Sequence, residues 1–101
     1  MEKQYKNFKE FYPFYLSQHE NKICRVLHFV GSTVVLVILV FAISTQTYKA
    51  LFSLPIAGYG FAWVGHFFFE KNRPATFTYP VYSLIGDWVM YYQLLTRKIN
   101  F

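Results

Sequence analysis

The stretch "VLHFVGSTVVLVILVFAIS", residues 26–44, decides the fold because it lies in a charge-free run of 23 residues that ends at Tyr48. A second charge-free run, of 20 residues, extends from Ala50 to Phe69, and Lys49 is the only charged residue between the two runs. About 20 apolar residues suffice for a helix to cross a hydrocarbon core of about 30 Å. The first run is rich in β-branched residues, but a lone segment in lipid must be helical to satisfy its backbone. We therefore predict a transmembrane helical hairpin.

The composition favours a membrane protein over a soluble one. Hydrophobic residues make up 54% of the 101 residues and charged residues only 15%, whereas a soluble domain carries about 25% charged residues. A soluble domain of this size could not cover two such helices on all sides. A signal peptide is a poorer interpretation of the first run, because a 24-residue charged and aromatic segment precedes Arg25. The length predicts one domain, residues 1–101.

The charge distribution predicts the orientation in the membrane. A net charge of +5 can indicate nucleic-acid binding, but positive residues cluster at the two outer ends of the hairpin, at Lys3, Lys6, Lys9, Lys22, Arg25, Lys71 and Arg73. This is the positive-inside pattern of a hairpin with both ends cytoplasmic. We therefore expect an integral protein of a bacterial inner membrane or the endoplasmic reticulum, with cytoplasmic termini and no nucleic-acid partner.

Two further segments flank the hairpin. In "YKNFKEFYPFYLSQH", residues 5–19, aromatic residues recur at spacings of three and four, which predicts an amphipathic helix at the membrane interface. In "YPVYSLIGDWVMYYQLLT", residues 79–96, a third apolar helix is followed by Arg97 and Lys98; the charge rule favours a re-entrant or interfacial segment over a third span. The predicted fold is all-α, with helices over 4–18, 24–46, 50–70 and 78–97. Pro55, Gly58 and Gly60 should kink the second span or admit a neighbouring helix.

Histidines and acids suggest a site at one end of the hairpin. A turn near Thr47 pairs positions whose numbers sum to about 94, as those of His28 and His66 do, so these two should lie at one depth. Glu70 follows His66 by four residues and shares its helix face, either as a metal ligand or as a solvated residue beyond the span. His19 could join them only if the chain breaks before His28, and Asn21 is a good capping residue for such a break.

Asp87 is an ionisable residue inside an apolar segment, which is a functional hypothesis by default. It could orient a ligand histidine, or form an ion pair with Arg25 or Arg73. Several imidazoles with a carboxylate suit iron or zinc better than magnesium or calcium. The single cysteine, Cys24, excludes an intramolecular disulfide and is expected to be a packing residue.

Three motifs, "HENKICRVLHFVG" (19–31), "GHFFFEKNRPATF" (65–77) and "YPVYSLIGDWVMYY" (79–92), resemble the 2-hydroxy fatty acid dioxygenase-like family of small membrane proteins. The resemblance implies Fe(II)-dependent α-oxidation, in which a 2-hydroxy fatty acid and dioxygen give an acid one carbon shorter. It marks His19, His28 and His66 as iron ligands, with Asn21 and Glu70 beside them and Pro74-Ala75 after them. The family's eukaryotic members are enzymes of the endoplasmic reticulum membrane; this chain is shorter, and Cys24 stands where they often have asparagine.

The expected function is therefore an iron-dependent lipid dioxygenase, with zinc as the alternative metal. Glu70 would bind or orient the metal, and Arg25 or Arg73 would pair with the substrate carboxylate. Two other functions are compatible with the sequence. One is a haem electron carrier with His28 and His66 as axial ligands, and the other is a non-catalytic membrane scaffold. The sequence does not indicate an oligomeric state.

Overall fold

The computed structural model describes residues 5–101, and within that range the chain is helical with no β-strand. The four α-helices are α1 (Phe8–Ser17), α2 (Lys22–Ser44), α3 (Leu54–Val64) and α4 (Pro80–Leu95). A 3-10 helix, Tyr48–Ser53, leads into α3, and a π-helical turn, Gly65–Glu70, continues from it; a further 3-10 turn, Ala75–Phe77, precedes α4. The predicted all-α fold is confirmed.

The hairpin consists of α2 and the continuous helical segment Tyr48–Glu70, and both are long and apolar enough to cross a membrane. Only 17% of the residues in the most apolar part of each are buried inside the protein. Outward-facing apolar side chains over most of two helices are typical of contact with lipid. α4, with 16 residues, is about 24 Å long and does not meet the same criterion.

A glycine of the first span allows the two long helices to approach closely. A Cβ atom added to Gly31 would lie 2.9 Å from the Cβ of Phe61 and 3.2 Å from the carbonyl oxygen of Ala57. At Gly60 an added Cβ would meet nothing within 4 Å. Pro55 lies in the first turn of α3, where its missing N–H is not needed. Of the residues expected to kink the span or admit a neighbouring helix, Gly58 faces α2, where an added Cβ would lie 3.6 Å from Val35, and Gly60 does not.

α1 packs its aromatic face on α4. Phe11 and Tyr15 are almost completely buried, and they share one hydrophobic cluster with Met90 and Leu94 of α4. The hydroxyl of Tyr12 donates to the side chain of Gln93. The periodicity of the N-terminal aromatic residues therefore predicted a helix with one apolar face, and the structure shows that this face meets protein.

The C-terminal residues return to the start of α2. The ring of Phe101 contacts that of Phe29, with centroids 5.4 Å apart, and the guanidinium of Arg25 donates to the carbonyl oxygen of Asn100. Earlier on α4, the hydroxyl of Tyr91 is 3.0 Å from that of Thr33. The end of the chain thus lies beside the N-terminal end of the hairpin's first helix.

Candidate metal centre

Three segments of the chain contribute one histidine each to a single cluster. His19 follows the end of α1, His28 lies in the second turn of α2, and His66 lies in the π-helical turn after α3. The chain breaks between the first two because the side chain of Asn21 caps α2, accepting hydrogen bonds from the N–H groups of Ile23 and Cys24. The expected break at Asn21 is therefore present, and it lets His19 fold back toward His28.

The three imidazoles are buried and in mutual contact. Their exposed fractions are 1% for His19, 6% for His28 and 2% for His66. The ring centroids lie 4.4–5.0 Å apart, and the ring planes are nearly perpendicular. One nitrogen from each ring lies within 4.8 Å of the other two. His28 and His66 were predicted to lie at one depth because of their positions in the hairpin. Their rings are in contact in the structure.

Each histidine is oriented by an oxygen acceptor on its outer nitrogen. Nδ1 of His19 lies 2.6 Å from the carbonyl oxygen of Tyr15, and Nδ1 of His28 lies 2.9 Å from that of Cys24. Nδ1 of His66 lies 2.7 Å from Oδ1 of Asn72. An oxygen acceptor requires a proton on the nitrogen that faces it. All three rings are therefore Nδ1–H tautomers whose Nε2 lone pairs are free, which is the arrangement found around metal-binding histidines.

The inner nitrogens are too close for neutral rings without a cation or a shared proton between them. Nε2 of His19 lies 3.1 Å from Nε2 of His28, and two nitrogens bound to one ion at about 2.0–2.1 Å lie roughly 3–3.4 Å apart. Burial, with the neighbouring His28 and His66, holds the pKa of His19 well below its usual value. A neutral imidazole is the form that binds a metal, so the residues present fit a metal ion, and the three buried histidines could hold one.

The turn after α3 brings Asn72 to the cluster. The carbonyl oxygen of His66 accepts from the N–H groups of both Lys71 and Asn72, and Lys71 has a left-handed backbone with φ 59°. The amide nitrogen of Asn72 donates to the backbone and side-chain oxygens of Gln18, which leaves Oδ1 facing His66. Sequence analysis missed Asn72, because its contact with His66 depends on the π-helical turn and on the left-handed backbone of Lys71.

A close contact between Gly65 and Cys24 holds the two long helices together next to His66. A Cβ atom added to Gly65 would lie 2.9 Å from Sγ of Cys24 and 3.2 Å from its Cα. Cys24 is fully buried, in agreement with the packing role expected for it. The pair therefore sets the distance between the helices that carry His28 and His66.

Glu70 lies outside the histidine cluster and joins the two long helices. Its Oε1 accepts a hydrogen bond from the backbone N–H of Asn21, and the group of metal-ligating side chains found in residues 5–101 contains only the three histidines. A carboxylate is stabilised there because the N-terminal N–H groups of α2 lack partners within the helix. Of the predicted supporting residues, Asn21 and Glu70 thus act together, on the backbone that positions His28.

The two candidate arginines have different surroundings. Nε of Arg25 donates to the carbonyl oxygen of His19, and its NH1 group to that of Asn100, so Arg25 holds the chain around the cluster. Arg73 is exposed, and its guanidinium carbon lies 5.4 Å from the centre of the Phe77 ring. Only Arg73 has the exposure that contact with a substrate from outside requires.

Asp87 contacts Tyr15, where sequence analysis expected a histidine or an arginine. The Tyr15 hydroxyl donates to Oδ1 of Asp87, and the Tyr15 ring stacks on His19 with centroids 4.0 Å apart. Burial raises the pKa of the Asp87 carboxyl to about 6, against the opposite effect of the Tyr15 hydroxyl. Asp87 is therefore linked to the cluster through Tyr15, a residue that sequence analysis did not select.

A small cavity of about 10 Å³ adjoins the cluster. All three histidines line it, with Ser83 and Asp87 of α4 on another wall; the remaining lining residues are Tyr15, Tyr59, Ala62, Trp63, Pro74, Ala75 and Thr76. About 10–15 Å³ is the space that one water molecule needs. Ser83 is 2% exposed, and its Oγ is the buried side-chain oxygen or nitrogen that lacks a hydrogen-bond partner in residues 5–101. Sequence analysis missed it, since a serine in an apolar helix carries no signal of its own.

The comparisons with known proteins identify the family. No curated protein and no solved structure shows a significant match to the chain. The family model described as "2-hydroxy-palmitic acid dioxygenase Mpo1-like" matches residues 5–99, which is nearly the whole sequence and includes all three histidines, Asn72 and Ser83. The family name indicates a dioxygenase, in agreement with the resemblance noted from the motifs. The chain therefore belongs to the 2-hydroxy-palmitic acid dioxygenase Mpo1-like family.

Proposed function

We propose that the protein is an Fe(II)-dependent membrane dioxygenase that shortens 2-hydroxy fatty acids by one carbon. The observation that carries the proposal is the convergence of His19, His28 and His66. Each has its outer nitrogen hydrogen-bonded to an oxygen, and one nitrogen from each ring lies within 4.8 Å of the other two. The family name supports the substrate class and the use of dioxygen.

The three histidines would hold the metal through Nε2. Bound iron would supply the one-electron chemistry that dioxygen needs to react with an organic acid, which zinc cannot supply; zinc remains the alternative for a non-redox protein. Three neutral imidazoles leave the charge of a divalent ion uncompensated, and an uncompensated charge in a buried site is costly. Such a site favours an anionic ligand, and the carboxylate of a fatty acid provides one.

The overall reaction needs no added reductant. A 2-hydroxy acid and one dioxygen molecule give the acid one carbon shorter, carbon dioxide and water. The carbon–carbon bond next to the carboxyl group breaks, and the four electrons lost by the substrate reduce dioxygen. The chain's own residues bind and orient the substrate and limit the entry of water through the small size of the cavity.

Aromatic side chains beside the cavity suit the acyl chain. Tyr59 and Trp63 line the cavity and are also partly exposed on the outer surface. The ring of Trp63 contacts that of Phe77, with centroids 5.6 Å apart. An acyl chain could lie along this surface with its head group beside the cavity. Arg73 is exposed above the Phe77 ring, which supports a role in attracting the substrate carboxylate, so we propose that role for Arg73 in preference to Arg25.

The alternative of a haem carrier does not suit this geometry. The rings of His28 and His66 are in perpendicular contact, with centroids 5.0 Å apart, and a third imidazole lies against both. Axial ligands need a porphyrin between them. For a non-catalytic scaffold, three converging buried imidazoles would be an unfavourable and unused feature.

We further propose that both termini lie on the cytoplasmic side, so that the metal centre faces the cytoplasmic leaflet. The distribution of lysine and arginine supports this orientation. The substrate would then be a lipid-derived acid taken from that leaflet.

The test of the proposed function is a product analysis. Protein purified in detergent without oxygen is loaded with Fe(II) and mixed with 2-hydroxypalmitate labelled with ¹³C at the carboxyl carbon. We expect dioxygen uptake, a 15-carbon acid without label and labelled carbon dioxide in equal amounts. No shortened acid from a protein that has bound iron would refute the proposal.

A further inference from the structure

The cavity beside the histidines has a polar wall on α4. We propose that Ser83 and Asp87 form the subsite that recognises the 2-hydroxyl group of the substrate. The inference rests on the proposed function and adds to it the residues that distinguish a 2-hydroxy acid from an ordinary fatty acid.

The hydroxyl of Ser83 is buried and lacks a hydrogen-bond partner in residues 5–101. A buried polar group without a hydrogen-bond partner is costly and rare, and Ser83 Oγ is such a group, at 2% exposure. A serine within a helix usually satisfies itself by donating to the carbonyl oxygen one turn earlier. Ser83 does not do so, and its side chain lines the cavity instead. Its hydroxyl is therefore available to a ligand there.

Asp87 provides a carboxylate on the same wall of the cavity. It follows Ser83 by four residues on α4, so the two side chains lie on one face of the helix, and both line the cavity. Tyr15 donates to Oδ1 of Asp87, and an ionised carboxylate can accept further hydrogen bonds through its other oxygen. One donor and one acceptor thus stand next to each other on the wall.

A hydroxyl group on the ligand can form hydrogen bonds with both Ser83 and Asp87. Ser83 Oγ–H would donate to the hydroxyl oxygen, and the hydroxyl proton would be donated to the carboxylate of Asp87. The cavity volume of about 10 Å³ corresponds to one water-sized group, which is the size of a hydroxyl. Palmitate, which has hydrogen in that position, would leave Ser83 without a partner.

The experiment compares binding of two lipids without turnover. Zn(II)-loaded protein in detergent, kept free of oxygen, is titrated with 2-hydroxypalmitate and with palmitate, for the wild type, Ser83→Ala and the control Ser32→Ala. Ser32 lies on α2 and does not line the cavity. One neutral hydrogen bond corresponds to about 3- to 10-fold in affinity. We expect the affinity of Ser83→Ala for 2-hydroxypalmitate to fall by that factor, while its affinity for palmitate stays that of the wild type. Ser32→Ala should change the affinity for neither lipid.

Thermal stability provides the second measurement. Because Ser83→Ala removes an unsatisfied buried hydroxyl, its Tm without lipid should equal or exceed that of the wild type. A lower Tm with equally weakened binding of both lipids would show a structural role and overturn the inference. An undiminished preference for 2-hydroxypalmitate in Ser83→Ala would overturn it too, as would a wild type without any preference.

The proposed function can fail separately. If the iron-loaded wild type makes no shortened acid, yet its preference for 2-hydroxypalmitate is lost in Ser83→Ala, the dioxygenase proposal is wrong and the subsite stands. If shortened acid is made but the preference does not depend on Ser83, the reverse holds.

Discussion

Nε2 of His19 lies 3.1 Å from Nε2 of His28, although the Nδ1 atom of each ring already faces a carbonyl oxygen. Two imidazoles with this hydrogen bonding present lone pairs to each other, which is unfavourable unless a positive ion or a proton lies between them. With His66 beside them, a metal ion satisfies all three nitrogens at once. This relationship connects the fold to the proposed chemistry.

Asn72 should control metal affinity through His66. Its Oδ1 accepts from Nδ1 of His66, and such supporting partners typically contribute about 10–100-fold in metal affinity or activity. We expect Asn72→Ala to weaken metal binding by that factor, measured by competition with a chromophoric chelator. Asn72→Asp keeps the oxygen acceptor for His66 but loses the donor to Gln18, so its affinity should lie between those of Asn72→Ala and the wild type. Equal affinity of Asn72→Ala and the exposed control Asn100→Ala would mean that His66 is not oriented by this bond.

Gly65→Ala should destabilise the hairpin. The added methyl group would lie 2.9 Å from Sγ and 3.2 Å from Cα of Cys24, and backbone cannot move aside cheaply. Overpacking of this kind costs about 1–3 kcal/mol. Gly60→Ala is the matched control, since nothing lies within 4 Å of its new Cβ. Thermal unfolding in detergent measures both variants, and a Gly65→Ala protein as stable as Gly60→Ala would show that the helices are not held at this distance.

Glu70→Gln should affect stability more than metal content. Glu70 accepts from the N–H of Asn21 at the start of α2, and a glutamine retains the acceptor but loses the charge. We expect a loss of about 1 kcal/mol in the free energy of unfolding, with metal stoichiometry unchanged. The exposed neighbour Glu20, changed to glutamine, serves as control. Loss of the metal in Glu70→Gln alone would restore the original expectation that Glu70 binds or orients it.

Asp87 should make stability depend on pH between about 4 and 6. Its pKa is raised from 3.8 to about 6 in the fold, so the folded state holds the proton more tightly than the unfolded state. The stabilisation from the protonated form is complete below 3.8 and is lost as the pH rises through about 6. The Tm of the wild type should therefore fall relative to that of Asp87→Asn as the pH increases from 4 to 7. A Tm difference that does not change with pH would show that the pKa of Asp87 is not raised in the fold.

The sequence predicted those features that depend on local pattern. Uninterrupted apolar runs predicted the two long apolar helices, and the pairing of positions in a hairpin predicted that His28 and His66 lie at the same level. The break at Asn21 was predictable because capping depends on a few neighbouring residues. These features require no knowledge of which surfaces meet.

The remaining features depend on tertiary contacts. The acceptor role of Asn72 requires a π-helical turn and a left-handed Lys71, which the sequence "FFFEKN" does not encode visibly. Ser83 became notable only when the docking of α4 left its hydroxyl without a partner. Glu70 lies near His66 in sequence, but the free N–H groups of α2 are better partners for a carboxylate.

The most direct measurement is the metal content of protein purified in detergent without oxygen and supplied with Fe(II), together with its His28→Ala variant. The account predicts about one iron per chain in the wild type, with X-ray absorption showing three imidazole ligands, and a large loss of iron in the variant. Wild-type protein that binds neither iron nor zinc, or that retains its metal fully after His28→Ala, would contradict it.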